Sequence, residues 1–567
     1  MVKKMFKWKK RLPALLLAGC LLVSLGGCGS SEVTSDPAEA ASDASESAES
    51  AAGAESTASE DDEEVVFTIG YGYEPSTLDP RDFNSTACTL IGYDCYDTLL
   101  NFSMEGSDLE PCLAESWEQI DDTTYVYKIR EDVKFCDGNA MTMEDVLYSM
   151  ERVTEETYSM SYLFENVDHF EINEETWELT VYLTQADATW KYVPATSACI
   201  VVEKAVVEAE GDKYGTLEGS CVGTGPYMLE SWESGTQIVT VKNPYYWGDP
   251  DTLDVDKVVM MIVEDDTSLA LAAQSGQIDY ARSLPTSTLS IYESIEDMTV
   301  YSYDGTSAYF LAFNCQTEPF NDVNARRAVA YCIDKDVYTS LIGGTYATSQ
   351  GAFILPRSMF YLDEDAWNDA NDTLESYQQD FEKAAEALAA SSYPDGFEFD
   401  FYCTSTNKTG AEAIQSMIVE SGLPITMNII EISNADVYSI QYGYTTDEDG
   451  YRVYDMYSTG WISDWLDPTG YMKNCLDGGS VYAGGANKAA WINDEFDALL
   501  DQSYLETDDS IRSELMLEAM EVAVEDCPYV TLYEIQDTYV LSNEFEYEEG
   551  ANFFWNFTVA NVHVKDS

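Results

Sequence analysis

A chain of 567 residues is longer than one hydrophobic core supports, so two or three packed lobes are expected. With 28 Lys and Arg against 104 Asp and Glu, it cannot offer the basic surface that phosphates require, which excludes nucleic acid as a partner. The composition is globular, at 45% hydrophobic and 13% aromatic, and its 40 tyrosines suit sites needing an apolar face with a hydrogen-bonding tip.

The N-terminus has the three parts of an export signal. A basic segment, Lys3 to Arg11, precedes an apolar one, Leu12 to Leu25, and small residues lead into Cys28. The apolar run is short for a membrane span and is interrupted by Pro13. Leu25-Gly26-Gly27-Cys28 resembles a bacterial lipobox, whose cysteine is lipidated and becomes the mature N-terminus. Leu17-Ala18-Gly19-Cys20 is the alternative, but cleavage there would shorten the apolar segment and leave Leu21 to Leu25 on the mature tail. Residues 1–27 are therefore assigned to the signal. Residues 28–64, nearly all Ser, Ala, Glu, Asp, Gly and Thr, cannot bury enough surface to offset their ordering entropy and are expected to form a disordered acidic tether. Eleven further cysteines lack Cys-x-x-Cys spacing, which argues against zinc; they can pair outside the cell or serve as small buried hydrophobes.

Along the folded part, strand patterns fall at 65–70, 125–129, 177–183, 238–241, 258–263 and 307–314, and helical patterns at 143–153, 268–275, 324–332, 380–389, 410–420 and 510–525. Thr142 is a candidate N-cap with Asp145 three positions on. Mixed strands and helices over some 500 residues imply an α/β architecture. Asp447-Glu448-Asp449-Gly450 reads as a hairpin turn between 438–444 and 451–457. It is not a calcium loop, because the downstream position 456 is Met and not Glu. The two histidines, His169 and His563, lie in no metal or catalytic pattern, and no nucleophile elbow is present. No cofactor, metal or catalytic group is expected.

A relay of short motifs orders this chain: Pro75-Ser-Thr-Leu-Asp79-Pro80, Leu113-Ala-Glu115-Ser-Trp117, Phe135-Cys-Asp137-Gly138 through Val146, Val222-Gly-Thr-Gly-Pro226-Tyr227, Asn243-Pro-Tyr-Tyr-Trp247, Gly276-Gln-Ile-Asp279 and Pro319-Phe-Asn-Asp322 through Arg326. Each alone reads as turn or capping chemistry, as with the Asp-Gly and Asn-Pro pairs. Gly223-Thr-Gly225-Pro226 lacks the Lys-Ser/Thr of a phosphate loop. Together they resemble the family 5 extracellular solute-binding proteins, receptors of peptide- and nickel-importing ABC transporters, over the chain from about Val65 onward. The resemblance implies a two-lobed periplasmic-binding-protein-like fold (type II, cluster C) with an inserted domain. Lobe I would span 65–105, 216–314 and 530–567, the insert 106–215 and lobe II 315–529, with crossovers near Asn314 and Tyr529.

One island stands apart: Gly460-Trp461-Ile-Ser-Asp464-Trp465-Leu-Asp467-Pro468. In peptide-binding members of the resembled family, the aspartate matching Asp464 pairs with the ligand's ammonium and the tryptophan matching Trp461 lines the cleft. A cationic end group offsets the cost of a carboxylate in a desolvating cleft and sets the ligand's register. Tyr309 matches a cleft-facing tyrosine, and Trp465 is a further candidate wall. Some relatives place an arginine six residues before the aspartate. Here that position is Ser458, and no Lys or Arg lies between Arg452 and Lys473 to replace it locally; Lys408 and Arg357 are distant candidates.

The sequence thus leads to a monomeric, lipid-anchored receptor on the outer face of a bacterial cytoplasmic membrane, not an enzyme. It would capture oligopeptides between hinged lobes for ABC permease subunits. An oligosaccharide receptor of the same fold is the alternative; a nickel-chelate receptor and a non-transport hydrolase or sensor are weaker ones.

Overall fold

The β-branched and aromatic runs become strands at Val66–Tyr71, Thr124–Ile129, Glu178–Leu183, Gln237–Lys242 and Lys257–Ile262. The helical patterns become helices at Met143–Val153, Asp266–Gln274, Val323–Ala330, Phe381–Ala390, Lys408–Glu420 and Asp509–Asp526. Thr142 and Asp145 form a reciprocal capping box. The second carboxylate oxygen of Asp145 accepts from the Lys204 amide at 2.9 Å, which ties the start of the next helix to this one. The computed structural model describes residues 64–565 apart from 84, 104–107, 155–159, 286, 361, 406, 434–435, 449, 464, 483 and 548–556. The export signal, both lipidation candidates Cys20 and Cys28, and the tether up to residue 63 lie outside the described residues. Among the described residues, no helix is long and apolar enough to cross a membrane.

An eleven-stranded sheet organises the molecule. Its order is 425–432, 397–404, 456–462, 298–313, 529–542, 280–282, 66–71, 257–262, 237–242 and 227–233, with 347–349 also paired to 529–542. The pairs 66–71 with 257–262 and 397–404 with 425–432 are parallel, the latter connected by the helix Lys408–Glu420 as a crossover. Separate apolar cores lie beneath the two ends of this sheet. Phe67, Ile69, Tyr96 and Met260 belong to the first lobe, and Phe310, Phe353, Trp367 and Phe401 to the second. A four-stranded antiparallel sheet, 114–121, 124–129, 178–183 and 167–173, packs with the helix Met143–Val153 over a third core.

Two long strands connect the ends of the sheet. In Met298–Phe313, residues 298–304 pair with 536–542, and the ladder then shifts register before residues 307–312 pair with 529–535 on one edge, with a second shift between Tyr309 and Phe310, while 307–313 pair with 456–462 on the other. A Cβ on Gly305, within the shift, would lie 2.6 Å from the Asp537 carboxylate, so this close approach of strands needs glycine. Asn314 and Tyr529, where crossovers are expected, sit at the far end of this ladder beside the second core.

The tyrosine-rich stretch after 437 departs from the expected hairpin. Val437–Gln441 is a short helix, and Tyr438 and Tyr442 meet with tilted rings 4.8 Å apart at the i, i+4 spacing of one helical face. A turn does form at Asp447–Tyr451, closed by backbone and side-chain bonds of Asp447. All eleven described cysteines are free thiols, most of them buried, which agrees with their use as small hydrophobes.

The second lobe is held internally by a fully buried ion pair. Arg512 donates to Asp467 at 2.6 Å, and Thr469 donates to the same carboxylate from its amide at 3.0 Å and its hydroxyl. Burial opposes the charge on Asp467, but Arg512 and these bonds outweigh it and hold the carboxyl below its usual value. Asp467→Ala is expected to cost about 3–5 kcal/mol in chemical denaturation, because it removes the close partner of a buried guanidinium and leaves it only Asp509 at 3.7 Å. A depressed carboxyl stabilises above its unfolded value of about 4 and loses that contribution as pH falls through its folded value, so the variant should also show a weaker acid dependence below about pH 4.

Candidate functional site

The ladder register puts three candidate residues side by side. Tyr309 pairs with Gly460 on one edge and with Tyr533 on the other, and Trp461 follows opposite Ala308. Tyr309 stacks on Tyr533 with ring centroids 4.8 Å apart. Gly460 makes room for this, since a Cβ there would lie 3.0 Å from the Tyr309 ring. Trp461 is half-buried and fixed by its indole N–H, which donates to the Gly470 carbonyl at 3.0 Å. The Tyr471 hydroxyl lies 2.7 Å from the Thr306 carbonyl and 2.6 Å from that of Trp461, so the strand end and the following loop are pinned to the long central strand.

Beyond Ile462 the chain turns. The Ser463 hydroxyl donates to the Trp465 carbonyl at 2.6 Å, and Asp467 caps the next turn. Asp464, the expected ammonium anchor, lies outside the described residues. Trp465 leaves its own lobe and packs into the third core, stacked on Tyr192 at 6.4 Å. The same boundary carries a backbone bond from Ala188 N–H to the Tyr504 carbonyl at 2.8 Å and a Lys191–Asp509 ion pair at 2.9 Å. The indole N–H of Trp465 is buried and has no acceptor among the described residues.

Two cavities flank Trp461. The first, about 570 Å³, is walled on one side by Phe83, Tyr93, Glu165 and Asp187 and on the other by Trp461, Trp465, Lys473 and Tyr482. It therefore lies between the second lobe and the rest of the molecule. The second, about 520 Å³, lies along the ladder and is walled by Tyr309, Tyr338, Ser458, Thr459, Tyr533 and Lys488; Tyr442 and Trp461 line both. Volumes of this size suit small-molecule or short-chain ligands. Trp461 and Trp465 thus meet at the first cavity, and Trp461 and Tyr309 at the second.

The charged groups around the cavities were not foreseen from sequence. Asp187 in the first is occupied by Asn166 and Thr189, and Lys473 pairs with Asp477 at 2.8 Å. Of the distant cations, Lys408 pairs with Glu431 at 2.9 Å and Arg357 with Asp372 at 2.7 Å, and neither lines either cavity. Lys488 is the residue that sequence reasoning passed over. It is 4% exposed, and burial above all, with the like charge of Arg452, pushes its ammonium down to about 8. Its only local signal is a lysine between apolar residues in Ala486-Asn-Lys-Ala-Ala490.

His169 is exposed and stacked on Tyr182, and His563 meets Asp254 at 3.2 Å. Among the described residues, no three His, Cys, Asp or Glu side chains are placed to hold a metal ion. A cavity between lobes, walled by aromatic rings and joined by continuous strands, defines a ligand-clamping receptor.

Comparison with known proteins gives that class a family. The family model for the middle part of bacterial extracellular solute-binding proteins, family 5, matches residues 108–483, more than half of the chain, and the chain belongs to that family. It is 26% identical over 480 residues to a probable D,D-dipeptide-binding periplasmic protein of Escherichia coli (strain K12), covering 83% of this chain and 88% of that protein. It is 23% identical over 507 residues to the oligopeptide-binding protein of Bacillus subtilis (strain 168), covering 84% and 89%. The fold matches that of a periplasmic binding protein from Helicobacter pylori solved with the peptide STSA, with a TM-score of 0.73, 23% identity, and 88% and 98% of the two chains covered.

Trp465→Ala is expected to cost about 3–5 kcal/mol in chemical denaturation, since it empties a packed contact between lobe and insert. Trp465→Phe keeps a ring against Tyr192 and removes a donor without an acceptor, so it should cost less than roughly half as much.

Proposed function

We propose that this chain is the extracytoplasmic solute receptor of an ABC importer and that its cargo is oligopeptide. The observation that carries this reading is the aromatic-walled cleft between the lobes, in a member of a family whose relatives include dipeptide- and oligopeptide-binding proteins. Trp461, Trp465 and Tyr309 form the walls, and Asp464 receives the ligand's ammonium. Lobe I comprises 65–105, 216–314 and 530–567, the insert 106–215 and lobe II 315–529. Cys28, with Cys20 as the alternative, carries the lipid that holds a monomeric receptor at the membrane. No reaction takes place on the chain: the ligand's contacts with both lobes select the closed form, which docks on the permease.

Thermal unfolding of the purified protein against pooled peptides, their N-acetylated forms and oligosaccharides tests the reading. A ligand at a hundred times its Kd adds about 2.7 kcal/mol, a visible rise in Tm. Free peptides should give that rise, acetylated ones should give little, and Asp464→Asn should abolish the difference. A rise with sugars alone would sink the peptide assignment and leave the receptor role standing.

A further inference from the structure

Several buried thiols in this chain are each paired with an oxygen. Cys88 meets the Ser85 hydroxyl at 3.2 Å, Cys332 donates to the Ala328 carbonyl at 3.2 Å and Cys112 to the Asp97 carboxylate at 3.8 Å. Cys95 differs, because its thiol hydrogen-bonds to a second thiol, that of Cys221. Cys136 joins them. Its thiol donates to the Cys221 carbonyl at 3.8 Å, so three cysteines far apart in sequence share one neighbourhood.

The backbone fixes this meeting. Cys95 ends the helix Thr86–Cys95, and its carbonyl accepts from the Gly225 amide at 3.1 Å. The Cys136 amide donates to the Gly223 carbonyl at 2.9 Å. A Cβ on Gly225 would lie 2.6 Å from the Asp94 carbonyl oxygen, so glycine lets the segment 221–225 press against the helix end. Tyr214 holds the same segment, donating from its hydroxyl to the Val222 carbonyl at 3.0 Å. A disulfide forms only between cysteines whose backbones are already neighbours, and this packing supplies that condition. Access is uneven: Cys95 and Cys221 are buried, and Cys136 is half-buried. The hydrogen bond to Cys221, and then burial, holds the Cys95 thiol well above its ordinary value, and burial pushes Cys136 up to about 11. The thiolate is the attacking form, so exchange in the folded protein is slow, and the sulfur a reagent meets first is Cys136.

We propose that Cys95 and Cys221 are a latent disulfide pair, closed by an external disulfide donor that enters through Cys136. The Cys136 thiolate attacks one sulfur of the donor and expels the other as a thiolate. Cys221 attacks the Cys136 sulfur of this mixed disulfide and releases the second donor thiolate. Cys95 then attacks Cys221 and frees Cys136. In balance, two protein thiols lose two electrons and two protons, and the donor disulfide becomes two thiols. The bond closes a loop containing the whole four-stranded sheet, and constraint of so long a loop stabilises the folded state. It also fixes the end of the helix that carries Thr89 and Tyr93 on the wall of the first cavity.

The test treats the full protein with oxidised glutathione or with a dithiol, blocks free thiols by alkylation, and digests the unfolded chain at acidic residues, which separates Cys88, Cys95, Cys112, Cys136 and Cys221. Mass spectrometry of the oxidised sample should show a pair linked through Cys95 and Cys221, absent from the reduced one. The Tm should rise by several degrees on oxidation and fall back on reduction. Cys136→Ser should form the same bond about tenfold more slowly, because the accessible sulfur is gone. Cys95→Ser should stop at a Cys136–Cys221 pair. Glutathione adducts alone, or linked pairs that never include Cys95, would overturn the assignment in the native protein without recourse to any variant. An unchanged rate in Cys136→Ser would overturn the entry route, and a Tm that does not rise with the bond formed would overturn its stabilising role.

Discussion

The antiparallel ladder between Met298–Phe313 and Tyr529–Ser542 is the constraint on which the rest of the structure depends. It is the longest pairing in the sheet, and each strand exchanges neighbours along its length, with 280–282 and 347–349 on one edge and 456–462 on the other. Backbone bonds in such a ladder fix register to the residue, and a slip by one would turn every side chain to the opposite face. That register aligns Gly460, Tyr309 and Tyr533 in a row and sets Trp461 at the point where the two cavities share a wall. Irregularities between Asp304 and Ser307 and between Tyr309 and Phe310 break the ladder, so the lobes are joined by two strands whose pairing is interrupted twice. Hinge motion in proteins concentrates in a few such residues that absorb backbone change.

Features written in neighbouring residues were legible in the sequence. The capping box at Thr142 and Asp145, the Asp-Gly turn at 137–138 and the helix over 143–153 depend on contacts within a few positions, and the structure has them where the sequence puts them. The Gly460–Pro468 island stood out because glycine, two tryptophans and two aspartates crowd into nine positions, and the structure brings Trp461 and Trp465 to one cavity. The stretch at 438–457 reads as a hairpin because tyrosine is a strong strand former, whereas here a four-residue spacing brings the Tyr438 and Tyr442 rings together across one helical turn. Trp465 in the core of the inserted body could not be read at all, since that contact joins positions more than 270 residues apart.

Lys488 was invisible for a different reason. A lysine is unremarked in any sequence, and what sets this one apart is its burial on a cavity wall with the Thr459 hydroxyl as its short acceptor. In sequence the next cation after Ser458 is Lys473, yet the chain returns fifteen residues later to place Lys488 on the same cavity wall as Ser458. The other buried cations show how this fold usually disposes of positive charge. Arg326 is enclosed by the carbonyls of Phe320, Asp526 and Cys527, Lys335 by three carbonyls and a hydroxyl, and Arg512 by Asp467. Arg326 and Lys335 are closed by these acceptors, Arg512 keeps two buried nitrogens without an acceptor among the described residues, and Lys488 meets the Thr459 hydroxyl on a cavity wall.

The unspent hydrogen-bonding capacity of the cleft constrains what fills it. Among the described residues, the Trp465 indole N–H has no acceptor, and the Lys488 ammonium has one short acceptor, the Thr459 hydroxyl. Both groups donate hydrogen bonds, so a ligand that presents acceptors, as a peptide does with its backbone carbonyls, complements them. The aromatic walls supply apolar contact that is indifferent to side-chain identity.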